Sequence, residues 1–200
     1  MNVRLSMPTA MIALACLLAA PVTFAASEKF KGQIYDPGKL APTASQPKLK
    51  VGDKAPDFTL TSIRGEKVSL HQFFGSRNVV ISFVPAAFTP VCSEQWPGYN
   101  MIKEIFDEHN TALLGITTDH PASLFAWTEQ MGGVWFPVLS DFWPHGKVAD
   151  LYGVLRTEGT CERALFVIDR SGIIRYIDIH DINQRPDLGL LIQELEKLPR

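Results

Sequence analysis

The chain has 200 residues, 46% of them hydrophobic, 20% charged and 10% aromatic, with a formal net charge of −2. This composition describes one globular domain of ordinary size and excludes a disordered or low-complexity chain. Without a basic excess a nucleic-acid partner has little electrostatic support, and three cysteines are too few for a disulfide scaffold.

In chain order, residues 1–25 carry a single charge, Arg4, and an unbroken apolar run over residues 10–20. That run is shorter than the ~20 residues a membrane span needs. Pro21 ends it, and Thr23 and Ala25 place small residues at −3 and −1 of a cut after Ala25. The pattern predicts a secretory signal peptide over residues 1–25 and an exported protein, periplasmic or secreted, with no stable membrane contact. Cys16 follows Leu14-Ala15 as in a lipoprotein box, but Ala13 stands where Leu is preferred and apolar chain continues past it. Cleavage removes Arg4 and Cys16, leaving Cys92 and Cys161 and shifting the net charge by one, from −2 to −3. The oxidising compartment permits a disulfide between the two and does not require one.

Residues 26–50 are rich in Lys, Pro, Gly, Ser and Gln with little apolar periodicity, and read as an exposed N-terminal arm. The folded domain is expected over residues 51–200. Residues 57–61 alternate polar and apolar, 64–66 form a turn and 67–70 return, which predicts a β-hairpin. Residues 78–84, NVVISFV, predict a central buried strand. A loop over 85–91 leads to helical sequence at 92–109, where Pro97-Gly98 predicts a kink. Strands follow at 112–117 and 134–139, with a helix between them that opens at Pro121 and stops at Gly132-Gly133. A short helix at 146–152, a strand at 164–168, a turn, a partner strand at 173–179 and a helix at 187–198 complete the order. Strands alternating with helices predict an α/β layer fold with a central mixed sheet flanked by helices.

One segment carries chemistry. In Pro85-Ala86-Ala87-Phe88-Thr89-Pro90-Val91-Cys92 a cysteine follows a buried strand and a tight loop at the start of a helix. Unpaired backbone N–H groups and partial positive charge gather there, and they stabilise a thiolate. Thr89 can place a hydroxyl beside the sulfur, and Pro85 can shield it from water and fix the loop. The plainer alternative is a small cysteine that only packs.

Pro-x-x-x-Thr-x-x-Cys after an apolar strand resembles the active-site signature of the peroxiredoxins. Gly52-Asp53-Lys54-Ala55-Pro56-Asp57-Phe58 resembles that family's opening segment, and residues 161–169, CERALFVID, resemble its arginine-bearing strand. The resemblance covers about residues 50–198. It implies a thioredoxin fold with an N-terminal β-hairpin extension and a thiol-dependent peroxidase acting on hydrogen peroxide and organic hydroperoxides in antioxidant defence. In that reading Cys92 is the peroxidatic nucleophile and passes through a sulfenic acid. Thr89 hydrogen-bonds the peroxide and the thiolate, and Arg163 holds the thiolate and stabilises charge on the departing oxygen. No metal, haem or flavin is implied, because sulfur performs the redox step. An external thiol or thioredoxin-like reductant and a homodimer are implied as partners. The family often has an acid three residues past the cysteine; Gln95 stands there, beside Glu94, and both stay outside the expected catalytic set. Gln95 can still accept a hydrogen bond from an arginine.

Cys161 is a candidate resolving cysteine. If the strand already runs through it, alternation puts its side chain on the face of Arg163, toward Cys92. A one-cysteine cycle completed by an external thiol and an intersubunit disulfide are the alternatives. Trp96, Trp127, Phe142 and Trp143 read as core or oligomer contact rather than a substrate entrance, and His71, His109, His120, His145 and His180 show no metal-ligand spacing. A thioredoxin-like thiol–disulfide oxidoreductase would need Cys-x-x-Cys, and here Gln95 occupies the fourth place. A copper-binding protein on this fold would need two cysteines close in sequence. A non-catalytic holdase role is a further alternative, separable by a Cys92→Ser variant.

Overall fold

The segment Asn78–Phe83 is buried at all six positions, as its β-branched, uncharged sequence requires of a strand covered on both faces. A computed structural model describes residues 30–198; the leader assigned to residues 1–25 and its cut after Ala25 lie outside the described residues. In chain order the elements are β1 (Thr59–Ser62), β2 (Lys67–Ser69), β3 (Asn78–Phe83), α1 (Pro90–Asn100), α2 (Lys103–Glu108), β4 (Thr111–Thr117), α3 (Pro121–Met131), β5 (Val138–Ser140), α4 (Lys147–Leu151), β6 (Arg163–Ile168), β7 (Ile174–His180) and α5 (Leu188–Glu196).

The strands form one seven-stranded mixed sheet in the order β2-β1-β5-β4-β3-β6-β7. β3, β4 and β5 run parallel, while β6 returns antiparallel to β3, with Phe83 opposite Ala164. The β1–β2 hairpin adds to the β5 edge. This is the expected thioredoxin fold with its N-terminal hairpin.

Alternation along β3 and β6 divides the core between the two faces of the sheet. Val79, Ile81, Phe83, Ala164, Phe166 and Ile168 pack with Tyr152, Val148 and the hairpin residues Leu60 and Val68. Val80, Leu165 and Val167 pack with Cys92, Trp96 and Tyr99 of α1, Trp127 of α3 and Leu191 and Leu195 of α5. In the middle of β4, Gly115 makes room for an indole: a Cβ there would lie 2.8 Å from Cζ2 of Trp96.

Three expectations need correction. The helical stretch 92–109 is two helices, and the interruption falls at Met101-Ile102 rather than at Pro97-Gly98. Pro97 lies inside α1, and the end of the helix tightens into shorter bonds, Met101 N–H to Gly98 O and Ile102 N–H to Tyr99 O, both 3.2 Å. The strand placed at 134–139 is confined to Val138–Ser140. The third correction concerns the arm. Its side chains are mostly exposed, as its composition implies, but the described part is fastened to the domain. Phe30 is buried in the second cluster, Tyr35 N–H donates to Phe88 O at 2.8 Å, and Ile182 N–H donates to Pro42 O at 3.1 Å.

Candidate active site

The loop between β3 and α1 leaves the sheet at Val84 and Pro85, both buried. Asp119, just past the end of β4, accepts from Ala87 N–H at 2.8 Å and so ties the loop to the neighbouring strand. Phe88 has a left-handed backbone, φ +55°, which costs a residue with a Cβ about 1–2 kcal/mol. Its neighbours hold it there: its ring meets Phe30 edge-on at 6.3 Å, and its carbonyl accepts from Tyr35. Thr89 is the N-cap residue of α1 and Pro90 its first helical residue, where proline loses no hydrogen bond. Cys92 therefore stands in the first turn.

On α1, Cys92, Gln95, Trp96 and Tyr99 recur at i, i+3, i+4 and i+7, and all four are buried. This is the helical face that packs on the sheet. Directly across lies Arg163, the first residue of β6. Arg163 Nη2 donates to Cys92 Sγ at 3.3 Å, and each residue is only 1% exposed. The guanidinium is fixed on its other sides. Nε and Nη2 both donate to Ile182 O, at 3.2 and 3.0 Å, and Nη1 donates to Gln95 Oε1. The Gln95 amide in turn donates to Tyr99 Oη at 2.9 Å and to Ser82 Oγ at 3.3 Å. Trp96 Nε1 also donates to Ser82. Burial raises the Tyr99 phenol above its ordinary pKa, so the hydroxyl stays neutral. The positive charge of Arg163 thus meets only neutral acceptors and the sulfur within this set.

The structure brings together Cys92 and Arg163, with Thr89 and Pro85 in the loop that enters the site. Thr89 Oγ1 donates to Ala86 O at 2.9 Å, which leaves the oxygen lone pairs as its further hydrogen-bonding capacity. Cys161 is placed elsewhere. β6 begins at Arg163, and Cys161 makes only an isolated bridge to Leu155, so alternation does not extend back to it. Its side chain belongs to the core cluster on the other face, where the thiol donates to Val84 O at 2.8 Å. Both cysteines are free. Burial, and then the nearby Cys92, push the Cys161 thiol well above its ordinary pKa. Gln95, set aside in the sequence, belongs to the arginine network; its signal was the i, i+3 spacing from Cys92. Ser82, a polar residue inside the buried run NVVISFV, carried a signal of its own. The Ile182 carbonyl carried none. Among the described residues no three His, Cys, Asp or Glu side chains gather as a metal site.

The AhpC/TSA family model matches residues 51–177. The chain belongs to the AhpC/TSA family, the peroxiredoxins. It is 38% identical over 151 residues to alkyl hydroperoxide reductase E of Mycobacterium tuberculosis, a match covering 75% of this chain and 98% of that one. It is 32% identical over 144 residues to the chloroplastic 2-cysteine peroxiredoxin of Chattonella marina var. antiqua, covering 68% and 73%. Among solved structures, the reduced 2-Cys peroxiredoxin of Plasmodium vivax superposes with a TM-score of 0.68 at 25% identity, covering 74% of this chain and 81% of that one. In this peroxiredoxin the matched region begins at Val51, so the fastened arm lies before it.

Proposed function

We propose that this peroxiredoxin is a thiol-dependent peroxidase that reduces hydrogen peroxide and organic hydroperoxides through Cys92. The observation that carries the reading is the buried contact of 3.3 Å between Arg163 Nη2 and Cys92 Sγ. A thiolate at that point attacks the terminal oxygen of a hydroperoxide in line with the O–O bond. The S–O bond forms as the O–O bond breaks, and the second oxygen leaves as alkoxide or hydroxide and takes up a proton. Cys92 is left as sulfenic acid, oxidised by two electrons. Donors held in place beforehand stabilise the departing charge without reorganisation, and Arg163, pinned by Ile182 and Gln95, is such a donor. Thr89, at the mouth of the helix, and Pro85, behind it, position the peroxide and exclude water.

The cycle closes through an external thiol. That thiol attacks the sulfenic acid, releases water and forms a mixed disulfide, which a second thiol reduces. The seat of Cys161 on the opposite sheet face supports this one-cysteine cycle over an internal disulfide. We propose further that the protein is exported after cleavage at Ala25 and works as a homodimer.

Cys92→Ser is the direct test: it removes peroxide turnover while the cooperative melt stays. Turnover retained above a few per cent (roughly, against the 10²–10⁴ expected of a lost catalytic group) refutes the assignment. One equivalent of peroxide adds about 16 Da to the chain, unchanged in Cys161→Ser, whereas an internal disulfide lowers the mass by about 2 Da. N-terminal sequencing of the exported chain reads Ala26 if the leader is cut as proposed.

A further inference from the structure

We infer that segment 40–45 of the arm is a positioning element for Arg163, so that the guanidinium reaches its working place against Cys92 only with the arm docked. The inference rests on the peroxidase reading in taking Arg163 as the group that activates Cys92.

Arg163 is held at Nε and Nη2 by a single acceptor, Ile182 O. The Ile182 peptide is held by the arm: its N–H donates to Pro42 O at 3.1 Å. Next to it, the Asn183 side chain clasps Leu40 at both ends, accepting its N–H at 2.9 Å and donating to its carbonyl at 3.0 Å. The other support is Glu162, which precedes Arg163 in the chain and is fully buried. Its Oε1 accepts two N–H groups of the arm, Ala44 at 2.7 Å and Ser45 at 2.8 Å. Its Oε2 accepts from Arg156 Nη1 at 2.7 Å, and Arg156 Nη2 also reaches Ala41 O at 3.2 Å.

A buried carboxylate that loses two of its donors is costly, by more than an ordinary unmade bond. Undocking the arm therefore drives Glu162 toward water. Glu162 is joined directly to Arg163, the first residue of β6, and its own N–H donates to Val154 O at 2.7 Å beside the Leu155–Cys161 bridge, so a Glu162 side chain drawn outward pulls on the backbone of Arg163. Release of Pro42 removes a support of the turn that carries Ile182 O, so both ends of the arginine loosen together. The arm precedes residues 51–177, which match the family, so this support is built from sequence outside the matched domain.

The test uses the full chain with Ala44→Pro and Ser45→Pro together, which delete both N–H donors to Glu162. Asn183→Ala cuts the other clasp without altering the backbone, and keeps the test open if the double variant does not fold. Hydrogen exchange at the amides of Leu40, Ala41 and Thr43, and at Ile182 N–H, whose acceptor is Pro42 O, reports docking. Peroxide consumption and the pH profile of Cys92 alkylation report the thiol, whose ionisable neighbours are Arg163 and Cys161. With the melt intact and those amides exchanging freely, peroxide attack slows about ten- to a hundredfold, as misplacement of a catalytic group on the ångström scale does. The alkylation midpoint moves to higher pH. Two results overturn the inference: a released arm with rate and midpoint unchanged, or reporter amides that stay protected in both variants. Cys92-dependent turnover by the unmodified chain tests the peroxidase reading separately, so the two failures are distinct.

Discussion

Gln95→Glu changes one atom of the arginine network and inverts its electrostatics. Gln95 accepts from Arg163 Nη1 and is nearly inaccessible to solvent. In the variant the carboxylate keeps that acceptor, and the lost amide donors are replaced by acceptance from the hydroxyls of Tyr99 and Ser82, which can turn. The side chain therefore fits, but a negative charge now sits across the guanidinium from the sulfur. With the planar guanidinium between them, the two charges lie roughly 6–8 Å apart, and at an effective dielectric of about 20 they repel by about 2–3 kcal/mol. The repulsion disfavours the thiolate, so the midpoint of Cys92 alkylation moves to higher pH. The assay is the rate of iodoacetamide modification between pH 4 and 9 (roughly the range over which perturbed thiols titrate), with peroxide consumption measured alongside. A midpoint that stays put or falls would refute the argument that neutral partners keep the charge of Arg163 available to the thiolate.

Three further outcomes are expected. Thr89→Val preserves shape and deletes the hydroxyl now donated to Ala86 O; peroxide attack slows by about 10², the usual cost of one lost polar contact in a transition state, and stopped-flow rates equal to the parent's would exclude Thr89 from the chemistry. Gly115→Ala puts a methyl 2.8 Å from Trp96 and 3.0 Å from Phe136, which destabilises by about 1–3 kcal/mol in denaturant titration; a neutral effect would mean that α1 slides freely over β4. Asp169 accepts from Ser171 and Ile173 N–H and from Arg175; burial alone would raise it, but those partners hold it below the ordinary carboxylate range. Its folded pKa is depressed, so its stabilisation is present above about pH 4 and disappears as pH falls through the folded value. Asp169→Asn therefore melts lower than the parent at pH 7, and the gap closes under acid; a gap independent of pH would contradict this assignment.

Local chemistry made the centre of this protein readable. The run NVVISFV is β-branched and uncharged, so β3 had one plausible place, and the loop and cysteine after it had to fall at a helix start. The rest is set by contacts distant in sequence. Nothing near Glu162 announces that its donors are Ala44 and Ser45, more than a hundred residues earlier. The arm looked unattached because its bonds run through backbone groups, which any composition supplies. For Cys161 the reason is different. Period-two alternation holds only inside a ladder, and the ladder of β6 starts two residues later, so the side chain turned to the other face. Gln95 differs in type from the acid often found there, although its position on the helix already fixes what it touches.

The pairing of Trp96 with Trp127 gives the molecule an optical reporter of its own. The two indoles lie 4.9 Å apart. One is four residues past Cys92 on the same helix, and the other donates its Nε1–H to Ser93 Oγ, the very next side chain, at 3.0 Å. Buried indoles emit in the blue and shift red when water reaches them. An unwinding of α1 that reaches Trp96 as the sulfur is oxidised or forms a mixed disulfide would separate this pair and alter its emission. Trp143, 82% exposed, and the half-buried Trp135 supply the background emission. The redox cycle of a single buried sulfur can thus be followed in real time by intrinsic fluorescence, without a label.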